Sequence, residues 1–344
     1  MQQWINGVLH DLSQQATWSI DWEVDIGGKD RTGVLRPYLI DISVTDKAGT
    51  TSDSCSLTLD DTGGQIALDM EGLDITVVLK GREVFQGTIE TARSTGSRGG
   101  GRLIPITAKG FDTRGKAKQI QSFHKDDATL GEFMEEAAKR AGFSIRLDPS
   151  LASIRAPYWS AQHESFLDIG ERLAREINGT FKLRGREAVL VERGSTSLAS
   201  VQGIVGPGGN VINWDLAPFT GRGAWRKSKA RYFDRATAKF VEEEVEFESD
   251  DDAPDSNNII RLPLADKDQA KRRTKGRKGE AKRDKGGGNV TLDLAPEAQA
   301  EGIFILSGAK PDIDGPWRID SVGHRANRSG GSTTQLDLKE PGAK

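Results

Sequence analysis

Alternation of apolar and polar residues with a period of two runs through most of the chain. Trp18, Ile20, Trp22, Val24 and Ile26 alternate strictly, which predicts a strand with one face in a core and the other toward water. Gly27-Gly28-Lys29-Asp30 turns it. Pro37–Asp61 reads as two strands around a polar turn. Ile40, Ile42 and Val44 alternate, Asp46-Lys47-Ala48-Gly49 breaks the run, and Cys55, Leu57 and Leu59 alternate again. Further strands are predicted near 73–80, 84–92 and 102–110, with Gly96–Gly101 as the loop of the last hairpin. Ahead of them, Trp4, Ile5, Val8, Leu9 and Leu12 recur at helical spacing over residues 3–14. A helix this short is marginal alone and is expected to dock on its own barrel or on a neighbouring subunit.

The period changes at about residue 112. Asp127 or Thr129 can cap a helix carrying Leu130, Phe133, Met134, Ala137 and Ala138 and ended by Gly142. A short strand follows through Phe143, Ile145 and Leu147, then a second helix carrying Phe166, Leu167, Ile169, Leu173, Ala174 and Ile177. Two strands, 180–184 and 187–192, complete an α+β module. Residues 195–210 are small and Gly-rich and read as a linker. Strands resume near 211–215, 223–233 and 238–246, and Ser249–Asn258 reads as a loop. Asp266–Lys285 is highly charged, and strands return at 289–294, 302–307, 316–323 and 332–339. The organisation expected is therefore an N-terminal extension (1–17), a first β-barrel domain (18–115), an α+β insert (116–194) and a second β-barrel domain (195–344).

The two β regions look alike. Ser56–Asp60, Ile75–Gly81, Val84–Glu90 and Leu103–Gly110 are matched in order by Val290–Leu294, Ile303–Gly308, Trp317–Gly323 and Thr334–Leu338, with a Gly-rich loop before the last strand in both. A duplicated sheet unit is the expectation.

Composition narrows the classes. The chain has 344 residues, a net charge of −3 and 40 glycines, which favours a β-rich fold with tight turns and gives no global basic field for nucleic acid. A single cysteine, Cys55, excludes an internal disulfide framework, and its place on an apolar strand face predicts a buried structural thiol. No apolar run is long enough to span a membrane, and the N-terminus lacks signal-peptide features.

Three places resemble one family. They are the opening Pro37–Asp61 segment, the pair Asp127–Glu132 and Gln162–Arg175, and the C-terminal set Leu306-Ser307-Gly308, Ile313–Trp317, Val322, His324 and Thr333–Leu338. Together they make the chain, from about Val24 to Pro341, similar to the phage late control gene D proteins, the baseplate hubs of contractile tails. The resemblance implies a mainly β fold with two related tube-type barrel domains and a small helix-containing insert. It implies a homotrimeric ring joining a hexameric tail tube, or its initiator, to a central spike. Contacts with a tape measure protein and a baseplate wedge are implied too, in a virion tail baseplate assembled in the host cytoplasm. Two barrels per chain in a trimer make six similar units around a channel, which suits a sixfold tube meeting a threefold spike.

No constellation in the sequence demands chemistry. His10, His124, His163 and His324 are scattered, and none pairs at helical spacing as a zinc site would require. His163-Glu164-Ser165 reads as a helix cap, with Ser165 or Glu164 at the helix start. His324 reads as a packed or interface histidine. No glycine-rich stretch has the ending of a phosphate loop. Catalytic residues, metal and cofactor are expected to be none, and no specific nucleic-acid binding is expected. Glu242–Glu244 and Asp250–Asp252 read as a solvated acidic strand face or, alternatively, an acidic lumen wall that DNA would slide past. Lys267–Lys285, with ten Lys and Arg, reads as a charged helix broken at Gly276 and Gly279, or a mobile loop, with contact to an acidic tail neighbour as the functional alternative. Trp4, Trp159 and Trp225 are the candidate interface anchors, as exposed aromatics. Two alternatives to the hub remain: the hub module of a type VI-like secretion spike, disfavoured on the expectation that no β-helix follows the second barrel, and a tail-tip cell-wall hydrolase using Glu132, Glu135 or Glu164.

Overall fold

Alternation becomes strands wherever one face can be buried. In a computed structural model of the chain, residues 18, 20–48, 52–193, 198–218, 227–234, 236–246, 257–264 and 266–340 are described. The first β unit comprises β1 (Trp22–Ile26), β2 (Leu39–Lys47), β3 (Ser54–Asp60), β4 (Asp74–Leu79), β5 (Arg82–Ala92), the short β6 (Thr95–Ser97) and β7 (Gly101–Lys109). Its strand order is β1-β4-β5-β7-β3-β2, with β6 paired to β7. Trp22, Val24, Leu39, Ile42, Val44, Leu57, Ile75, Val77, Phe85 and Ile104 fill one core. Cys55 is among them, and burial pushes its thiol up to about 12.

The insert holds β8 (Gln121–Thr129), helix α1 (Leu130–Ala141), β9 (Ser144–Leu147), β10 (Arg155–Glu164), helix α2 (Phe166–Glu176), β11 (Gly179–Arg184) and β12 (Glu187–Glu192). Both helices start on capping boxes, Thr129 with Glu132 and Ser165 with Asp168. Gly142 closes α1 in the left-handed conformation. The antiparallel β8·β10 pair has no counterpart among the predicted elements. Its strands are mostly exposed on one side and carry runs such as His124-Lys125-Asp126-Asp127 that show no clean alternation.

The second β unit comprises β13 (Val201–Ile204), β14 (Val211–Ala217), β18 (Gly287–Asp293), β19 (Ile303–Ser307), β20 (Gly315–Asn327) and β21 (Gly331–Lys339). Between β14 and β18 lie β15 (Lys227–Asp234), β16 (Lys239–Glu246), β17 (Asn257–Leu264) and helix α3 (Lys267–Arg283). Three expectations are corrected here. The linker expected over 195–210 contains β13, which is buried at Val201 and pairs in parallel with β19. The loop expected over 249–258 gives way to β17 from Asn257 onward, paired in parallel with β15. The basic segment is one uninterrupted helix: its buried face, with Ala270 and Thr274, packs against Ala230 and Tyr232 of β15, which offsets the cost of about 1 kcal/mol for each interior glycine.

The duplication is legible strand by strand. Numbered by position within each unit, both have the order 1-4-5-6-3-2: β1-β4-β5-β7-β3-β2 and β13-β19-β20-β21-β18-β14. Even the irregularities repeat. Strands two and three slip once in each unit, between Leu39 and Asp41 and between Val211 and Asn213. Strands five and six slip between Ile89 and Thr91 and between Ile319 and Ser321. Just before each of those slips, Ile89 and Ile319 exchange two backbone hydrogen bonds with Gly72–Leu73 and Glu301–Gly302. The units differ at strand one, antiparallel for β1 and parallel for β13. They differ also in the two-to-three connection: six residues separate β2 from β3, whereas the β15–β17 sheet and α3 lie between β14 and β18.

Candidate interaction surfaces

Three surfaces follow from this arrangement. The first is the seam between the units. β2 lies along the outer edge of β20 with Asp41 opposite Asn327, Ile42 opposite Ala326, Val44 opposite His324 and Lys47 opposite Ser321. One continuous sheet therefore runs through both units. Ile42, Val44 and Ala326 are fully buried there. On the outer face Arg325 Nε donates to Asp41 Oδ1 at 3.0 Å, a diagonal cross-strand pair. His324 is packed, with Nδ1 3.0 Å from Thr334 Oγ1, and burial drives its pKa down to about 4.

The second surface is the junction of the insert with both units. Lys182 Nζ, on β11, meets two carboxylates of the first unit, Asp46 and Asp53, the latter at 3.0 Å. Asp46 also accepts from the Ala300 N–H of the second unit at 2.8 Å. Burial works to raise Asp46, but the Lys182 ammonium and these hydrogen bonds outweigh it and hold Asp46 below the usual carboxylate range. Asp53 is pushed up to about 6, first by burial and then by the charge on Asp46. One cation thus bridges two buried carboxylates and cannot balance both charges. Beside it, Glu301 accepts from Thr180 Oγ1 at 3.0 Å and pairs with Arg193 at 3.5 Å and Arg318 at 3.3 Å. The insert is therefore held to both β units by buried charge, an arrangement that fixes relative orientation more than it adds stability.

The third surface is a cleft of about 660 Å³ between the insert and the β15–α3 region, lined by Tyr158, Arg172, Glu176, Tyr232, Asp266 and Arg272 among others. Nearby, Phe233 and Phe240 stack edge-on and are exposed together with Ile259.

The predicted site residues fare unevenly. Trp4 and Trp225 lie outside the described residues. Trp159 is not an exposed anchor. It is 8% exposed, stacks on Phe133, and its Nε1 donates to the Ala128 carbonyl at 3.0 Å. Its alternating position on β10 points it inward, so it belongs to the insert core. Glu132 serves the α1 cap and Glu164 grips Arg172 at 2.6 Å, so both carboxylates have structural duties. Across the β15·β16 ladder Glu242 pairs with Lys229 and Glu244 with both Lys227 and Lys229, so two lysines offset these two carboxylates, and Asp250–Asp252 lie outside the described residues. Among the described residues, no cluster of His, Cys, Asp or Glu is placed to hold a metal ion, and no helix is long and apolar enough to cross a membrane. Sequence reasoning missed Lys182, whose two partners lie more than a hundred residues away in the chain. It also missed Trp214, which offered a signal: an indole between Asn213 and Asp215 on a strand.

With this geometry in place, comparison with known proteins decides the kinship. The chain is 26% identical over 361 residues to the probable baseplate hub protein of Escherichia phage 186, covering 91% of each chain. The chain is a relative of phage baseplate hub proteins. No family model matches it. In fold, this hub relative superposes on the 43 kDa tail protein of prophage MuSo2 from Shewanella oneidensis with a TM-score of 0.72, at 16% identity, over 94% of this chain and 99% of that one. It also superposes on the E. coli c3393 protein, a component of the type VI secretion system, with a TM-score of 0.54, at 11% identity, over 89% of this chain and 74% of that one.

Proposed function

We propose that this chain is the baseplate hub of a phage tail or phage-tail-like particle, and that three copies form a ring joining the hexameric tail tube to the central spike. The observation that carries this reading is the duplication, in strand order and in the positions of its slips. A chain with two equivalent units can present six near-equivalent faces as a trimer, matching sixfold symmetry on one side and threefold on the other. The similarity to the phage 186 protein over nine-tenths of both chains supports the same reading.

The role is mechanical: the hub transmits force and opens a channel when the spike leaves. The buried-charge junction among Lys182, Asp46, Asp53 and Glu301 suits it, since it locks the insert to both units. The spike is the partner on one face, and the tube or its initiator the partner on the other. The tape measure protein and the wedge are further neighbours, and the working location is the virion tail.

The test is the absolute mass of the purified chain by light scattering, alone and mixed with the spike protein of the same particle. The proposal expects a mass near three chains, or one that appears on adding the spike. A single-chain mass that ignores the spike would remove the hub reading and return attention to a wall hydrolase, which a peptidoglycan-clearing assay would then test.

A further inference from the structure

The seam inside the chain has an unoccupied counterpart. In the internal seam, strand two of the first unit (β2) pairs with the second half of strand five of the second unit (Ser321–Asn327 of β20). Carrying the duplication through, strand two of the second unit is β14, and the match to Ser321–Asn327 in the first unit is Thr91–Ser97, the end of β5 and β6. Among the described residues, β14 pairs only with β18, and β6 pairs only with β7. Among those residues, each has one edge without a strand partner.

These edges are more exposed than their counterparts in the internal seam. Ile42 is 0% exposed, while its counterpart Trp214 is 41% exposed, and the neighbouring Ile212 is 53% exposed. Val322, His324 and Ala326 are buried; of their counterparts, Ser94 and Gly96 are exposed and Ala92 is buried. A free edge bearing a large apolar side chain is a strand waiting for a partner.

We propose that β14 of one chain pairs antiparallel with Arg93–Ser97 of a second copy, in the register of the internal seam: Asn213 opposite Ser97, Trp214 opposite Gly96, Asp215 opposite Thr95, and Ala217 opposite Arg93. This rests on the trimer reading above and specifies how the trimer closes. The pairings are chemically matched. Trp214 takes the place of Ile42, and the residue facing it is glycine in place of Ala326, so a larger side chain meets a smaller one. Asp215 lies diagonal to Arg93, the same offset at which Asp41 binds Arg325 within the chain. The contact is heterologous, so it either closes into a ring or propagates. Alternating internal and intermolecular seams closes three chains into six units, with every strand-two edge covered.

A chain carrying Asp215→Cys with Thr95→Cys tests the register, since either kind of antiparallel pair brings Cα atoms within disulfide range. Cys55 is buried and stays in place. Mild oxidation is expected to give a three-chain species on a non-reducing denaturing gel, reversed by reductant. Each single variant should stay at one chain, and a mixture of the two should give two-chain species. Asp215→Cys with Ser94→Cys, which points to the other face, should remain unlinked. Trp214→Arg is expected to shift the scattering mass from three chains to one while the folded circular dichroism spectrum persists. A three-chain mass without cross-linking at 215 and 95, or one that survives Trp214→Arg, would overturn the seam and leave the trimer standing. A single-chain mass for the unmodified chain at every concentration, with and without the spike, would remove the trimer and the seam together.

Discussion

The two β units share a topology and differ in what their edges face. In the first unit, strand two is covered by β20, and its apolar residues vanish from the surface. In the second, the equivalent strand carries Trp214 and Ile212 half in water. Equivalent backbone positions thus separate two uses of the same pattern: Ile42 holds a fold together, and Trp214 is held out for another molecule. The lesson is that a duplicated protein carries its own control, since the occupied copy of a contact shows what the vacant copy is shaped to do.

The largest effect is expected where the insert pins both units. Replacing Lys182 by Met leaves Asp46 and Asp53 facing each other without a cation. Chemical denaturation at pH 7.5 should report a loss of about 3–5 kcal/mol. Much of it should return near pH 5, where one carboxyl takes a proton.

Next in size is the strand-two pair itself. Ile42→Ala should cost about 2–5 kcal/mol of folding stability, as a fully buried side chain. Trp214→Ala should cost the isolated chain less than about 1 kcal/mol and act instead on the scattering mass. Equal losses of folding stability from both would erase the distinction drawn between the two edges.

A smaller effect sharpens the electrostatics. Asp53 has a raised folded pKa, so its contribution to stability grows as pH falls from about 6 toward the unfolded carboxyl range. His324 has a lowered folded pKa, so its contribution is lost as pH falls from about 6.5 toward 4. The two oppose each other in the same window. Asp53→Asn removes one side, and the loss of stability on acidification from pH 6 to 4.5 should steepen by about 1–2 kcal/mol in denaturation curves.

The smallest effect concerns α3. Gly276→Ala should stabilise by about 0.5–1 kcal/mol in thermal melts, because a Cβ there meets nothing nearer than 3.8 Å. Gly170→Ala in α2 should do the opposite, since its Cβ would collide with the Phe181 ring.

Local pattern carried much of the fold. Alternation marked β3, β4, β7, β18 and β21, because each buries one face in a core. The Ser and Thr caps marked both insert helices, and the order of four strands revealed the repeat. What local pattern could not carry was pairing between distant strands. Nothing in Ile42 or Ala326 tells that they lie opposite each other, because register across units is fixed by the whole sheet. Trp159 misled for a related reason: an aromatic beside Tyr158 looks exposed until Phe133 of α1 packs on it. The junction around Lys182 was silent because its partners come from three separate parts of the chain.

The hub reading stands or falls on whether three duplicated chains make six equivalent units around a channel. Electron microscopy of the assembled protein tests it most directly. Class averages are expected to show a central hole ringed by six similar lobes, from a particle whose mass is three chains. A three-lobed particle without a hole, or single chains under all assembly conditions, would contradict it.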